Sequence, residues 1–181
     1  MWVGHPMIDL TKKLPLKKDA RTILSLRPNE NILLLMPASR PQELKYILPT
    51  FMMAARKLQQ KYPSLVVYIP SCRKVFDEKF NEAFRKFQVK GKVISQKDNE
   101  RLKPYIYSLT KIAFCKSGTV NMELALYGIP QIVGYRVSRI TAFIAKKILN
   151  FKVKFISPVN LLVNKLIIPE FVQREFDEKK I

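Results

Sequence analysis

Cysteine and histidine are scarce in this chain of 181 residues, and each scarcity excludes a class of protein. Two cysteines, Cys72 and Cys115, are too few for a disulfide framework, which favours a reducing compartment. With His5 as the one histidine, no Cys/His cluster suits a zinc site, so we expect no metal and no cofactor. Glycine is also rare, at five residues, while 48% of residues are hydrophobic, which indicates a folded globular chain.

Acidic residues are outnumbered by basic ones, 14 against 33, and the formal net charge is +19. Such a charge favours an anionic partner, which is nucleic acid, anionic lipid or a phosphorylated substrate. The alternative is a lysine-rich composition spread over solvated faces. The sequence has no aromatic and basic RNA-binding run and no zinc-finger spacing, so nucleic acid is the least favoured partner.

Long apolar runs are missing as well. No run approaches the roughly 18 residues of a membrane-spanning helix. The first residues, with His5, Pro6 and Asp9, lack the basic start and apolar run of a signal peptide. We therefore expect a soluble or peripheral protein, and place it in the cytoplasm.

Apolar runs of strand type alternate with helical patterns from Asn31 onward. We expect strands at residues 32–36, 65–69, 89–96, 111–115 and 131–135. We expect helices at residues 42–61, 74–87, 99–109, 120–127 and 139–149. This alternation predicts an α/β fold, a Rossmann-like parallel sheet flanked by helices. We divide the chain into a linker with a short helix (1–30), the sheet domain (31–156) and a C-terminal segment (157–181).

The turn after the fourth predicted strand is the most informative stretch. Ser117, Gly118 and Thr119 lie where a helix begins, and the unpaired N–H groups of such an end readily accept a phosphate. Gly118 lets the backbone approach an anion closely. Glu123, about one helical turn further on, is near enough to accept hydrogen bonds from sugar hydroxyls. These residues predict a pocket for a nucleotide diphosphate; the alternative is an ordinary Ser/Thr helix cap.

Further polar residues follow the other strands. Ser39 and Arg40 come after the first strand and Arg136 after the fifth, so a parallel sheet brings them to the carboxyl edge where ligands bind. The Arg40 guanidinium suits a diphosphate, unless it pairs with Glu43 on the surface. Arg136 occupies a similar position. No pair of acids has the spacing of a glycosidase.

Six ordered blocks of sequence resemble the lipid-A-disaccharide synthase family, which has the GT-B glycosyltransferase architecture. The blocks begin with a Gly-His-Pro segment, continue through a strand with a Pro-Ala-Ser-Arg turn and the Ser-Gly-Thr turn, and end in Pro-Val-Asn-Leu-Leu and Pro-Glu-Phe-Val-Gln elements. They lie at residues 4–9, 33–43, 117–123, 128–136, 157–162 and 168–173. Together they are far more specific than a single glycine motif.

The resemblance implies a UDP-2,3-diacylglucosamine donor and an acylated glucosamine 1-phosphate acceptor in lipid A biosynthesis. It implies a UDP-sugar site formed by Ser39, Arg40, Ser117, Gly118, Thr119, Glu123, Arg136 and Asn160. For Asn160 the alternative is a structural turn. His5 falls in the family's inter-domain segment, where a structural role is favoured over that of a base.

This sequence departs from the family pattern in two ways, and both limit which properties of the family we expect in this chain. Ala38 replaces the glycine of the family's Pro-Gly-Ser-Arg turn, and a left-handed backbone there would be strained. The family protein is also about twice as long, and its acceptor domain has no counterpart here. We therefore expect the donor-binding half of the enzyme, as a fragment, a remnant or one part of a split enzyme, inactive alone. It would need a separate N-terminal half or a second copy. The alternative is a non-catalytic basic module that binds an anionic membrane surface or nucleic acid.

Residues 139–154 combine an apolar stripe with five cations. A basic amphipathic helix of this kind can lie in a lipid headgroup layer. The alternative is a helix that covers the sheet with a solvated basic rim. The first interpretation predicts peripheral attachment to the inner membrane, and a plastid compartment is the alternative location.

Overall fold

One parallel sheet of six strands organises residues 13–138, 141 and 154–181, which are the residues that the computed structural model describes. The strands are β1 Asn31–Met36, β2 Leu65–Pro70, β3 Gly91–Ile94, β4 Thr110–Cys115, β5 Gln131–Tyr135 and β6 Glu170–Val172. The helices are α1 Lys17–Leu24, α2 Pro41–Tyr46, α3 Leu48–Lys61, α4 Lys74–Phe87, α5 Gln96–Leu109, α6 Thr119–Leu126 and α7 Pro158–Val163.

The strand order is β3-β2-β1-β4-β5-β6, and every pair is parallel. This order, typical of Rossmann folds, confirms the predicted α/β class. The order reverses between β1 and β4, where Met36 lies opposite Cys115 at the ends of their strands. Ligands of open α/β sheets bind at such a switch point, outside the carboxyl ends of the strands.

The central strands β1 and β2 are buried on both faces, which explains why they are almost continuously apolar. On one face Leu33 and Leu35 pack against α2, α3 and α4. On the other, Ile32 and Leu34 pack against α1, α5 and α6. Every side chain of β1 from residue 32 to residue 35 is fully buried, so this strand is rigidly placed beneath the turn that follows it.

Two predicted elements differ in the structure. The helix predicted at 42–61 is two helices that meet at Ile47, because Pro49 has no N–H to donate to the carbonyl one turn before it and is suited to the first turn of a new helix. The strand predicted at 89–96 is the shorter β3, since Ser95 already caps α5 by accepting a hydrogen bond from the Asp98 N–H at 3.3 Å. The chain therefore turns into α5 earlier than its hydrophobic pattern indicates.

The segment 157–181 completes the sheet of residues 31–156, because it supplies β6 on the outer side of β5. Phe176 is fully buried against Phe51, with ring centroids 5.0 Å apart. A Cβ at Gly134 would lie 2.1 Å from the Phe176 ring, so the close approach of this ring requires glycine. The predicted helix 139–149, apart from Thr141, lies outside the described residues, as do His5 and the Gly-His-Pro segment.

Candidate functional site

Two turns meet at the switch point of the sheet. The first, residues 37–40, joins β1 to α2 and is called here the β1 turn. The second, residues 116–118, joins β4 to α6 and is called the β4 turn. The N–H of Lys116 donates to the carbonyl of Met36 at 3.1 Å, which fixes one turn against the other.

The β1 turn is closed by a carboxylate of its own helix. Glu43, the third residue of α2, accepts hydrogen bonds from the N–H groups of Ser39 at 2.6 Å and Arg40 at 3.0 Å. The Ser39 hydroxyl donates to the same oxygen at 3.3 Å. The amides of Ser39 and Arg40 at this helix start are therefore already occupied and are closed to an external anion.

Glu43 also forms an ion pair across the switch point. Its second oxygen lies 3.0 Å from the Lys116 ammonium, and both side chains are largely buried. Burial raises the pKa of Glu43, but the hydrogen bonds from Ser39, Lys116 and Arg40 outweigh it and hold that pKa below its ordinary value. Glu43 is consequently ionised at neutral pH and holds Lys116 beside the β4 turn.

The β4 turn is held from beneath by a buried amide network. Asn121, the third residue of α6, accepts a hydrogen bond from the Gly118 N–H at 2.9 Å. Its NH₂ group donates to the Lys116 carbonyl at 3.2 Å and to Gln131 Oε1 at 3.1 Å. The Gln131 amide returns a bond to the Asn121 carbonyl at 2.9 Å. Burial raises the pKa of the neighbouring Cys115 thiol to about 12, so this thiol is not a nucleophile at neutral pH.

Three amides at the β4 turn and the start of α6 remain open. Within the part of the chain that the structure describes, the N–H groups of Ser117, Thr119 and Val120 donate no hydrogen bond. The Ser117 hydroxyl is turned away and donates to the Ile156 carbonyl. Gly118 is extended, with φ 162°, so its backbone does not require glycine; what it provides is open space above the amides. The turn therefore offers unpaired donors at a helix start.

Glu123 lies one helical turn beyond Thr119 and faces α5. Its carboxylate is 3.0 Å from the Lys103 ammonium, and each side chain is about three-quarters buried. Tyr107 is buried beside this pair, and burial followed by the charge of Glu123 raises the pKa of its hydroxyl. One oxygen of Glu123 is thus bound by Lys103, which fixes the orientation of the carboxylate.

The two predicted arginines differ in their surroundings. Arg40 is exposed at the carboxyl edge, and no ion pair among residues 13–138 and 154–181 involves it. Glu43, its alternative partner, binds Lys116 instead. The Arg136 guanidinium faces inward, where it donates to the carbonyls of Gln173 at 3.2 Å and of Phe176, and to the Thr50 hydroxyl at 3.3 Å. Arg136 anchors the C-terminal segment under β5.

Asn160 is fully buried in the first turn of α7 and faces the loop between α7 and β6. Its oxygen accepts the N–H groups of Ile167 at 3.0 Å and Ile168 at 2.9 Å. Its NH₂ group donates to the Ile168 carbonyl and to Glu170, both at 2.7 Å. Each polar atom of its side chain therefore has a partner in the loop or at the start of β6, as expected of a structural asparagine.

Ala38 carries no backbone strain of the kind its sequence position suggests. The non-glycine residues with positive φ in the described ranges are Ser25, Gln88, Asn164 and Gln173. The β1 turn is thus formed without a left-handed residue at Ala38. Replacement of the family's glycine does not distort this part of the site.

The comparison with protein families decides the relationship. The family described as lipid-A-disaccharide synthetase matches residues 1–181, the whole chain. The chain belongs to this family. A lipid-A-disaccharide synthase from Prochlorococcus marinus (strain MIT 9313) is 49% identical over 174 residues, which are 96% of this chain and 44% of that protein. One from Gloeothece citriformis (strain PCC 7424) is 37% identical over 180 residues, 99% of this chain and 46% of that protein.

The chain thus spans less than half the length of these curated relatives of the lipid-A-disaccharide synthetase family. Among solved structures, the ADP-heptose lps heptosyltransferase II of E. coli has a similar fold. Its TM-score is 0.62 at 11% sequence identity, over 91% of this chain and 48% of that one. At this identity the likeness concerns the fold alone, and it agrees with the six-stranded parallel sheet.

Sequence reasoning about this family member missed the groups that support the site. Lys116 and Glu43 are 73 residues apart and meet only through the pairing of β1 with β4. Asn121 and Glu43 each occupy the third position of a helix, where side chains often bind the amides before the helix, so their position carries a usable signal. Lys103 carries none, because its contact with Glu123 depends on how α5 packs against α6.

Two absences concern the described ranges alone. In residues 13–138 and 154–181, no three His, Cys, Asp or Glu side chains are grouped so that they could hold a metal ion. No helix in the same ranges is long and apolar enough to cross a membrane.

Proposed function

We propose that this chain is the donor-binding half of a lipid-A-disaccharide synthase and that it binds the diphosphate of a UDP-sugar at the β4 turn. The observation that carries this proposal is the set of open amides at Ser117, Thr119 and Val120. They lie at the switch point of a Rossmann-like sheet, the place where nucleotides bind in such folds.

The charges around the β4 turn suit a diphosphate. The start of α6 carries roughly half a positive charge. Lys116 is held beside Gly118, with its ammonium 3.7 Å from where a Cβ of that glycine would lie. Arg40 is free to fork onto a phosphate from the opposite turn. These groups stabilise the negative charge that develops on departing UDP without requiring a metal ion.

Glu123 is the group that we assign to the ribose. A carboxylate one helical turn from the phosphate site accepts hydrogen bonds from neighbouring sugar hydroxyls. Lys103 binds one of its oxygens at 3.0 Å and orients the carboxylate. By contrast, Arg136 and Asn160 have internal partners, so we propose that they support the site without touching the nucleotide.

Catalysis requires more than this chain, in our proposal. Its relatives are about twice as long, and the resemblance places the acceptor site and the base in the other half. We propose that the chain alone transfers no glucosamine unit to an acylated acceptor. A separate N-terminal half or a second copy would supply the missing groups.

Calorimetric titration with UDP, uridine and pyrophosphate tests the donor site. We expect UDP to bind, pyrophosphate to bind more weakly, and Glu123→Ala to reduce UDP affinity at least tenfold while changing pyrophosphate affinity less than about twofold. Glu100→Ala is the matched control, since Glu100 also pairs with Lys103, at 3.4 Å, but is largely exposed. Equal losses for UDP and pyrophosphate would remove the ribose assignment.

The second candidate function is a basic binding module without catalysis. The internal contacts of Arg136 and Asn160 favour it, because they leave fewer side chains for a nucleotide. This alternative predicts no saturable heat with UDP, whereas the donor-binding proposal predicts a saturable one. The same titration therefore separates the two.

For location we propose the cytoplasm, with peripheral attachment to the inner membrane, or a plastid compartment. The support is chemical: an acylated donor resides in a bilayer, and the chain carries a net charge of +19. Such a charge attracts anionic lipid headgroups.

A further inference from the structure

Five large apolar side chains project into solvent from α7 and the loop that follows it. We call them the apolar ridge: Leu161, Leu162, Val163, Leu166 and Ile167. Each is more than half exposed, up to 72% for Leu162. Isolated exposed apolar residues are ordinary, but a contiguous group of this size marks a surface that contacts something.

Hydrogen bonds of Asn160 and of the loop backbone fix the position of the apolar ridge. Asn160 binds the backbone of Ile167 and Ile168 and so closes the loop onto the start of α7. Asn164 makes the turn with φ 49°, and the N–H of Lys165 returns to the Asn160 carbonyl at 3.2 Å. Val159 and Ile168 point inward and are buried. The five apolar side chains are therefore presented outward by a loop whose backbone is hydrogen-bonded.

The charges that flank the apolar ridge along the chain are positive. Lys154 and Lys165 flank it, and both are exposed. The sequence has no acidic residue between Glu123 and Glu170, whereas seven lysines and arginines lie in that interval. Glu170 itself is engaged, since it accepts the N–H groups of Ile156 at 2.7 Å and Ser157 at 2.8 Å.

This pattern distinguishes between occupants. In a symmetric contact between two copies, the same cations would face each other, which is unfavourable. An anionic lipid surface offers acyl chains for the apolar side chains and phosphates for the lysines. The apolar ridge with its basic flank therefore matches lipid and does not match itself.

We propose that the apolar ridge inserts into an anionic bilayer surface, with Lys154 and Lys165 in the headgroup layer. This inference rests on the proposed peripheral attachment and names the surface responsible. The ridge is also close to the donor site, because α7 begins beside Ile156, whose carbonyl binds the Ser117 hydroxyl of the β4 turn. At about 1.5 Å per residue, α7 spans only about 9 Å. Insertion would hold the β4 turn near the lipid that carries the donor.

Sedimentation with vesicles tests the proposal on the full chain. The vesicles contain phosphatidylcholine alone or phosphatidylcholine with phosphatidylglycerol. We expect binding to the anionic vesicles and, for the double variant Leu162→Ser and Leu166→Ser, a partition coefficient at least about tenfold lower. Lys154→Gln with Lys165→Gln should lower it by a similar factor at low salt and by less at high salt.

The matched control is Leu16→Ser with Val75→Ser, which removes two apolar side chains that are 74% and 66% exposed elsewhere. This control should bind as the unchanged chain does. Circular dichroism and UDP titration verify that each variant is folded.

The outcomes separate the inference from its premise. No binding of the unchanged chain to anionic vesicles overturns both the peripheral attachment and the inference. Binding that persists in the Leu162→Ser and Leu166→Ser variant overturns the inference alone. A sedimentation-velocity change from dimer to monomer in that variant, with vesicle binding unaltered, would identify a second copy as the occupant and also overturn it.

Discussion

The β1 turn and the β4 turn have the same local design, but backbone amides are occupied at the first and open at the second. Each follows a buried strand, precedes a helix and places a polar side chain at the third helical position. In the β1 turn that residue is Glu43, which occupies the amides of Ser39 and Arg40. In the β4 turn it is Asn121, which binds the Gly118 amide and turns its NH₂ group inward.

The comparison shows that a helix start is an anion site only when its own side chains leave the amides open. A carboxylate at the third position acts as a built-in anion, whereas a buried carboxamide fixes the turn and leaves the outer donors unpaired. The two turns also cooperate, because Glu43 holds Lys116 at the edge of the open one.

The largest expected effect is loss of the amide network under the open turn. Asn121→Ala would remove the side-chain partner of the Gly118 amide and of the Lys116 carbonyl, and one of the donors to Gln131 Oε1, in a buried site. We therefore expect the free energy of unfolding to fall by about 3 kcal/mol. Denaturant titration measures it. Thr119→Ala, an exposed change in the same helix, should stay within about 0.5 kcal/mol. Equal effects of the two changes would contradict the role of the network.

Opening the closed turn should have the next largest effect. Glu43→Ala removes a carboxylate that binds two amides and Lys116, and we expect a loss of about 2 kcal/mol in the free energy of unfolding. The same variant should bind pyrophosphate severalfold more tightly, because a negative charge next to the open turn is gone and Lys116 is released. Denaturant titration and calorimetry measure the two effects.

The stabilisation by Glu43 should depend on pH. Its pKa is lowered in the folded protein, so its contribution is present above the ordinary value near 4.5 and is lost as pH falls through the folded value. The difference in stability between the unchanged chain and Glu43→Ala should therefore shrink in acid. A difference that stays constant down to pH values well below the ordinary one would contradict the ion pair.

Gly118→Ala should separate binding from stability in the open turn. The backbone there is extended and a Cβ would meet only Lys116 at 3.7 Å, so unfolding should change by less than about 0.5 kcal/mol. The methyl group would nevertheless stand over the open amides, and we expect UDP affinity to fall roughly tenfold. Gly128→Ala, at φ 65°, is the reverse control, with lower stability and unchanged affinity.

The smallest expected effect concerns the ion pair behind the open turn. Lys103→Gln removes the group that orients Glu123, so we expect UDP affinity to fall about threefold and pyrophosphate affinity to remain unchanged. Lys79→Gln makes the same charge change on an exposed part of α4 and should leave both affinities unaltered. A loss for pyrophosphate as large as for UDP would indicate a general charge effect instead.

Local patterns predicted much of this molecule. The alternation of apolar runs and helical periods predicted the parallel sheet, because a strand that is buried on both faces needs apolar side chains at almost every position. The break at Pro49 was missed because apolar spacing continues across it, although proline at that point was visible. The strand β6 was missed because it has only three residues and gains its place by pairing with β5.

The candidate site also contains residues whose proximity is predictable from the local sequence and residues whose contacts depend on the tertiary structure. Ser117, Gly118, Thr119 and Glu123 follow one another on a single turn and helix, so their proximity is a local property. Arg136 and Asn160 were singled out by the resemblance, and the structure shows partners for both that come from other segments. The side-chain donors of arginine and asparagine bind whichever acceptors the folded chain places beside them. The position of such a residue in the sequence does not show which acceptor that will be.

By itself, the sequence determined the α/β class, the family and the position of an open helix start after β4, because periodicity and turn residues act over short distances. Only the tertiary structure decided that Glu43 binds the amides of the β1 turn, that Lys116 forms an ion pair with Glu43 and that Asn160 supports an exposed apolar ridge. These facts depend on pairs of groups from distant or separately packed segments. Their energies arise from burial and hydrogen-bond geometry, which exist only after the sheet has assembled.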